Sequence, residues 1–433
     1  MNKEVLRRAS ITLAIASAAL LLSQAGLAPA IGAESNPLPP GTKFFTPLPS
    51  SGAVTQIAKL LSKRDTKDAA LILDEVTKPQ AVWFTDGTPK KVQQKVRTTT
   101  LESSLTRTVP TLVAYNVPGR DCSQYSSGGA GSDTAYRAWI DGFAAGLSKS
   151  QTVIVIVEPD GLANLPSDCP AAYPGQDVAA LTAGRIADIK YAGSAILKAD
   201  PHALVYLDAG HSAWHSVGDI TTRLEQAGVA DVQGFSLNVS NYQYTPNLQQ
   251  YGSWVSECIA YTTTVNAGDT GSCGDMYWSG GPANNWTGVA LDPNGQWSDT
   301  ATDATLNTAG INSRYASILG TTTGTTHFVI DTSRNGRGPW ATTASYPDPQ
   351  TWCNPPARGL GLRPQAQPQP TTYPTLDAYL WIKTPGQSDG QCNRGIAGST
   401  TDPEWGGIVD PAAGAWFPQQ ALQLAQLAVP ALH

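Results

Sequence analysis

Short apolar runs rich in β-branched residues recur along the chain, and most end on a polar residue. Residues 81–84, 109–117, 152–157, 203–207, 234–239, 327–330 and 378–382 are seven such runs. Runs as continuous as Val-Ile-Val-Ile-Val suit strands buried on both faces. Helical spacing fills the gaps between them. Ser132 and Asp133 can cap a helix carrying Tyr136, Trp139, Ile140, Phe143 and Leu147, and residues 179–197 are Ala-rich and periodic. Residues 220–227, 313–319 and 419–427 are shorter candidates. Strands alternating with helices predict a parallel sheet. Polar residues at successive strand ends, among them Asp121, Asp160, Asp208, Asp331 and Lys383, suit the C-terminal mouth of a barrel. The expected fold is therefore an α/β, TIM-like barrel in one domain, with a doubly wound open sheet as the alternative.

Two stretches interrupt the alternation. Residues 338–370 are Pro-rich, but a strand run and further polar candidates follow, so the segment reads as an ordered loop. Residues 252–310 look irregular, which is long for a compact domain. A Cys258–Cys273 staple and packing by Trp278, Trp286 and Trp297 are the expected remedies.

The N-terminus changes the picture. Lys3, Arg7 and Arg8 precede an apolar run at 11–22, and small residues follow at Ala28-Pro29-Ala30 or Ile31-Gly32-Ala33. This is the pattern of a signal peptide over residues 1–33, leaving 34–433 as a secreted domain with no membrane span. Six cysteines lie beyond the leader, none in a close C-x-x-C pair. In an exported chain an even number favours disulfides. Order and spacing suggest Cys122–Cys169, Cys258–Cys273 and Cys353–Cys392, out of fifteen possible pairings. Only 14% of residues are charged and the net charge is −6, so no basic patch recruits nucleic acid. Only five histidines argue against a metal-dependent deacetylase, which needs a His-rich ligand set.

Several blocks carry sharper information. Tyr115-Asn116-Val117-Pro118-Gly119-Arg120-Asp121-Cys122-Ser123, followed by Ser126-Ser127-Gly128-Gly129, resembles the first signature of glycoside hydrolase family six. Residues 153–157 with Glu158-Pro159-Asp160-Gly161-Leu162 resemble the second. Tyr206-Leu207-Asp208-Ala209-Gly210-His211-Ser212-Ala213-Trp214, Asn238-Val239-Ser240-Asn241-Tyr242, Ile330-Asp331-Thr332-Ser333-Arg334-Asn335-Gly336 and Leu380-Trp381-Ile382-Lys383 with Asp389-Gly390 are similar to further family blocks, in family order.

The resemblance implies a distorted barrel of about seven parallel strands, an inverting mechanism acting on β-1,4-glucan chains, and neither metal nor cofactor. It also implies roles. Asp160 matches the acid that protonates the leaving oxygen, and Asp121 matches a carboxylate that raises the acid's pKa and relays the water's proton. Physically, two neighbouring carboxylates resist ionising together. Arg120 is expected to fix Asp121 by a charge-assisted hydrogen bond. Asp389 matches the position proposed as base. Tyr115 and Ser127 match residues that hold the water and a distorted sugar, and Asp208 a carboxylate that supports substrate binding and the electrostatics of the site. Trp83, Trp214 and Trp352 match sugar-stacking positions, while His211, Asn238 and Lys383 are further sugar-binding candidates. Aromatic faces suit the apolar faces of glucose rings.

Departures from the family pattern bear on mode. Gln387 stands where some members carry Glu. Leu48 and Val217 stand where some chain-end cutters carry Trp, which favours cutting within chains. The length of the 389–416 segment favours a roofed cleft and release of cellobiose from ends. The expectation is a secreted, monomeric endo-β-1,4-glucanase, with a cellobiohydrolase and an inactive carbohydrate-binding homologue as alternatives. The intact Asp160, Asp121 and Asp389 speak against the last.

Overall fold

Seven parallel strands, β1 (Val82–Phe84), β2 (Thr111–Ala114), β3 (Val153–Val157), β4 (Ala203–Asp208), β5 (Gly234–Leu237), β6 (His327–Asp331) and β8 (Leu376–Leu380), form one curled sheet in chain order. The structure, a computed structural model, describes residues 37–277, 289–342 and 344–432. Each expected strand is present: β1, β2, β3 and β5 are shorter than their runs, β4 and β6 extend one residue further, to Asp208 and Asp331, and β8 begins and ends two residues early. An eighth strand, β7 (Gln365–Ala366), lies in the Pro-rich segment and pairs antiparallel with β8 through Gln365–Tyr379 and Ala366–Ala378. It occupies the outer edge of β8. Closure toward β1 is accordingly reduced to local bonds, such as Ala81 N–H to the Trp381 carbonyl at 2.9 Å. The barrel is distorted because the ladder does not continue from β8 to β1.

Alternation along the strands separates two layers of core. On β3, Ile154 and Ile156 point into the barrel with Val113, Tyr206, Val329 and Leu380. Val153, Val155 and Val157 point outward to a layer shared with the helices. That outer layer receives Trp139, Ile140 and Phe143 from α4 (Asp133–Ala145), Ile196 from α5 (Val178–Ala199), Leu224 from α6 (Val217–Gln226), and Leu248 and Trp254 from α7 (Thr245–Ala260). Ser132 caps α4 by accepting from Ala135 N–H, as its sequence predicts. The remaining expected helices are α8 (Ala309–Leu319) and α9 (Pro418–Gln426).

Three helices do not stand out in the sequence: α1 (Ser51–Ser62), α2 (Thr66–Val76) and α3 (Pro89–Thr106). α3 is rich in Lys, Gln and Thr, and its buried face is Val92, Val96, Thr99, Thr100 and Ser103. Small hydroxyl residues can pack a helix where no apolar stripe advertises it. α7 likewise extends into the stretch that reads as irregular. Beyond it, Cys258–Cys273 closes the loop. Trp297 stacks on Trp254 with ring centroids 5.8 Å apart and donates Nε1–H to the Asp292 carbonyl at 2.7 Å. Trp278, Trp286 and the leader at 1–33 lie outside the described residues. Among the described residues no helix is long and apolar enough to cross a membrane.

All three suggested disulfides are formed: Cys122–Cys169, Cys258–Cys273 and Cys353–Cys392. The second closes a loop of 15 residues next to the core. Replacing both of its cysteines with Ala should lower stability by about 3 kcal/mol. The check is a fall in the urea midpoint at unchanged m-value; a midpoint that does not move would show that Trp297 holds the loop alone.

Candidate active site

The C-terminal strand ends open into a cleft of about 240 Å³. β1 supplies Trp83, and the segment after β2 supplies Tyr115, Asp121 and Ser126. Asp160 and Asn164 follow β3, His211 and Trp214 follow β4, and Ser240 and Asn241 follow β5. Lys383 and Asp389 follow β8, and Trp352 comes from the Pro-rich segment. The three tryptophans predicted to stack on sugars thus share one cavity with the three aspartates predicted to act in chemistry.

Buried carboxylates at the strand ends hold this arrangement. Glu158, at the end of β3, accepts from Asn116 N–H and Val117 N–H, all at 3.0 Å, and so fixes the segment that leads to Asp121. Asp208, at the end of β4, accepts from Asp160 N–H at 2.9 Å, Gly210 N–H at 3.2 Å and the Ser236 hydroxyl at 3.0 Å. Asp331, at the end of β6, accepts from Ser240, Ser333, Ile382 and Lys383 N–H groups at 2.8–3.2 Å. Each carboxylate therefore ties its own strand to a neighbouring loop. Asp208 does not line the cleft; it positions Asp160 through the backbone.

The loops so held contain residues in left-handed backbone: Asp121 (φ 59°), Cys122 (46°), Glu158 (48°), Asp160 (62°), Asn238 (68°) and Ser240 (63°). Such conformations cost about 1 kcal/mol or more each outside glycine. They persist because the surrounding bonds over-determine them. Cys122–Cys169 adds a covalent tie between the Asp121 loop and the segment after Asp160.

The aspartates differ in protonation. Burial pushes Asp160 well above the usual carboxylate range, and the nearby charges of Asp208 and Asp121 push it further. Its Oδ1 is buried without a hydrogen-bond partner, as suits a carboxyl that keeps its proton. Burial also raises Asp121, against the Ser126 N–H it accepts and the charge of Arg120, to about 6. Asp389 is the opposite case. Burial would raise it, but Arg334 and Lys383 outweigh that and hold it below its ordinary value. Arg334 grips both oxygens at 3.0 Å, Lys383 Nζ lies 3.2 Å from Oδ1, and Asn354 N–H and the Tyr242 hydroxyl donate to Oδ2 at 3.0 and 3.2 Å. A carboxylate so filled is a strong anion and a poor proton acceptor.

Three expectations need correction. Arg120 makes no hydrogen bond to Asp121. Its guanidinium donates to the carbonyls of Thr85, Tyr115 and Ser126 and lies 4.5 Å over the Tyr115 ring, so it fixes the loop and reaches Asp121 only through space. Ser127 is exposed and outside the cleft wall, where Ser126 stands instead. Asn238 is buried with its amide spent on backbone, donating to the Asp331 carbonyl at 2.8 Å and accepting from Gln243 N–H at 3.0 Å; its neighbours Ser240 and Asn241 face the cavity. Asp208 acts through the Asp160 backbone and not at the cleft wall, whereas Trp83, Tyr115, His211, Trp214, Trp352 and Lys383 line the cleft. Trp83 is locked by Nε1–H donation to the Ile382 carbonyl at 2.8 Å and meets Tyr115 edge-to-face at 5.5 Å. His211 is held neutral, since burial lowers it to about 3. Arg334 is the residue that sequence reasoning passed over, although it sits in one of the matching blocks. Its place in that block is the signal the sequence offers; its full burial against Asp389 is visible only in the structure.

Residues 40–428 match the sequence model of the family described as Glycosyl hydrolases family 6. The chain belongs to glycosyl hydrolase family 6. Endoglucanase A of Cellulomonas fimi is 32% identical over 386 residues, covering 88% of this chain and 62% of that protein. A probable 1,4-beta-D-glucan cellobiohydrolase C of Neosartorya fischeri is 30% identical over 325 residues, covering 70% of this chain and 59% of that protein. The chain thus spans about half to two thirds of the length of such curated relatives. The solved endoglucanase Cel6 of Mycobacterium tuberculosis, in complex with methyl-cellobiosyl-4-deoxy-4-thio-β-D-cellobioside, superposes with a TM-score of 0.60. It is 29% identical and covers 91% of this chain and 99% of that one.

The protonation pattern of this family 6 site has a consequence for stability. Burial raises Glu158 to about 7, against the donors on Asn116 and Val117, and Asp208 to about 7, against the Asp160 and Gly210 N–H groups. With Asp121, these groups bind protons in the native state that the unfolded chain has released above about pH 4. Their contribution is therefore full at low pH and is lost as pH rises toward 6–7. Glu158→Gln keeps an acceptor oxygen and removes one titration. It should flatten the decline of unfolding free energy between pH 5 and 7 by about 1 kcal/mol per pH unit, measured by urea unfolding. An unchanged slope would mean that Glu158 is ionised throughout.

Proposed function

We propose that this chain is a β-1,4-glucanase that hydrolyses by inversion, with Asp160 as the acid. The observation that carries the reading is a carboxyl kept protonated by burial and by two neighbouring carboxylates, in a cleft walled by Trp83, Trp214 and Trp352. Asp160 gives its proton to the glycosidic oxygen as the C–O bond breaks. A water attacks the anomeric carbon from the opposite face and loses a proton as it adds. Asp121, poised at about 6, accepts that proton directly or through a second water. Asp389 supplies instead a fixed negative charge, locked by Arg334 and Lys383, that favours the positive charge developing on the sugar ring. Tyr115, packed between Trp83 and the Arg120 guanidinium, presses the ring toward its distorted shape.

Cutting within chains is the favoured mode. Val217 is fully buried at the start of α6 and offers no stacking face, and endoglucanases stand among the relatives. Release of cellobiose from chain ends is the second reading. It is favoured by the 389–416 segment, which is braced internally by the buried Arg394–Asp402 pair and anchored to the Pro-rich loop by Arg394 donation to the Cys353 carbonyl at 2.7 Å. The enzyme is further proposed to be secreted as a monomer, with residues 1–33 as its leader and 34–433 as the catalytic domain.

Asp160→Ala should reduce hydrolysis of unactivated cello-oligosaccharides by about 10²–10⁴-fold, the usual worth of a general acid. Aryl glycosides with good leaving groups should suffer much less; equal losses on both, with the fold intact, would remove Asp160 from the acid role. Proton NMR of fresh product should show the α-anomer first, and initial β-anomer would exclude inversion. On a soluble cellulose derivative, viscosity should fall steeply while few reducing ends appear. A slow fall with steady cellobiose release would select the chain-end reading.

A further inference from the structure

A second groove, about 220 Å³ in volume, adjoins the cleft. Trp83 lines both cavities, so one indole stands between them. The groove lies at the β1 and β8 side of the barrel mouth, away from Trp214, which follows β4. Its walls carry Leu48, Pro49, Thr384, Gln387 and Trp416.

Trp416 is a prepared surface. Its Nε1–H donates to the Gln56 side-chain oxygen at 2.6 Å. The side chain packs where Gly52 and Gly386 leave room: a Cβ on Gly52 would come within 2.4 Å of the Trp416 Cβ and 2.8 Å of its ring, one on Gly386 within 2.6 Å of the ring, and Gly386 has φ +77°. Two backbone bonds, Ser388 N–H to Ala415 O at 2.9 Å and Phe417 N–H to Gly386 O at 2.7 Å, splint the residues around Trp416 to those leading into Asp389. The indole is nevertheless only half-buried. On the opposite lip Leu48 is 89% exposed between two prolines, an apolar side chain held out to solvent by a stiff backbone. Thr384 and Gln387 bring a hydroxyl and an amide to the same walls. A rigid indole, an apolar lip and a few neutral polar groups match a glucose ring, which is apolar on its faces and hydroxylated at its edges.

We propose that the substrate cleft extends past Trp83 into this groove, which takes one further glucosyl residue of the same glucan chain, stacked against Trp416. The inference rests on the β-1,4-glucanase reading. It makes the protein favour chains longer by one residue at that end, and it ties the grip on that residue to the segment bearing Asp389.

The test is subsite mapping with cello-oligosaccharides of increasing length, labelled with ¹⁸O at the reducing end so that each cleavage position is read. In the unaltered protein, the residue beyond the one at Trp83 should raise kcat/KM by about tenfold. In Trp416→Ala that increment should vanish, while rates on chains too short to reach the groove stay within about twofold. Thr384→Ala, a milder change, should lower the same increment and nothing else, and it decides the matter if Trp416→Ala does not fold. No increment in the unaltered protein overturns the proposal, as does an increment that survives in folded Trp416→Ala. If no cello-oligosaccharide of any length is cleaved, the glucanase reading itself falls, which is a different outcome from a flat length dependence.

Discussion

The active-site mouth depends on buried carboxylates that receive N–H groups from loops belonging to other strands. Glu158 holds the segment after β2, Asp208 holds the backbone of Asp160, and Asp331 holds the segments after β5 and β8. A backbone N–H at a strand end has no ladder partner and cannot be buried unsatisfied without cost. A carboxylate can accept several at once. One side chain thereby fixes two or three loops relative to the sheet, and the strained residues between them follow. The donors these acids collect offset part of their desolvation, and burial still raises their pKa values.

The same economy separates the acids by function. Asp160 has a neighbour's carboxylate on its backbone but no donor on Oδ1, so it keeps a proton. Asp389 has two cations and two further donors, so it loses one. Asp121 has a single backbone donor at 2.6 Å and lies between. Three chemically identical side chains in one cavity thus span the range from raised to lowered pKa, set by burial, neighbouring charges and the donors each is given.

How much of this was legible follows from which signals are local. The buried parallel strands announce themselves because both faces are apolar, and their polar termini mark the mouth of the barrel. The motif blocks contain Asp160, Asp121, Asp389 and Trp214, and the family resemblance adds Trp83 and Trp352; all six line one cleft. What was hidden depends on partners distant in the chain. α3 is stabilised by packing of Thr and Ser, which carry no apolar stripe. Ser127 and Asn238 belong to the right loops, but the register of each loop turns Ser126, Ser240 and Asn241 to the cavity instead. Arg334 and Trp416 gain their meaning only from Asp389 and Trp83, 55 and more than 300 residues away.

The disulfides connect each cysteine to the next one along the chain: first to second, third to fourth, fifth to sixth. The loops they close follow one another without crossing or nesting. For a polypeptide that meets an oxidant while emerging N-terminus first, the pairing made by default is then the native one, and no isomerase is needed to undo a premature bond. With that order of emergence, both cysteines of the ring that joins the Asp121 and Asp160 loops precede β4, so these strained loops are the first to be tethered.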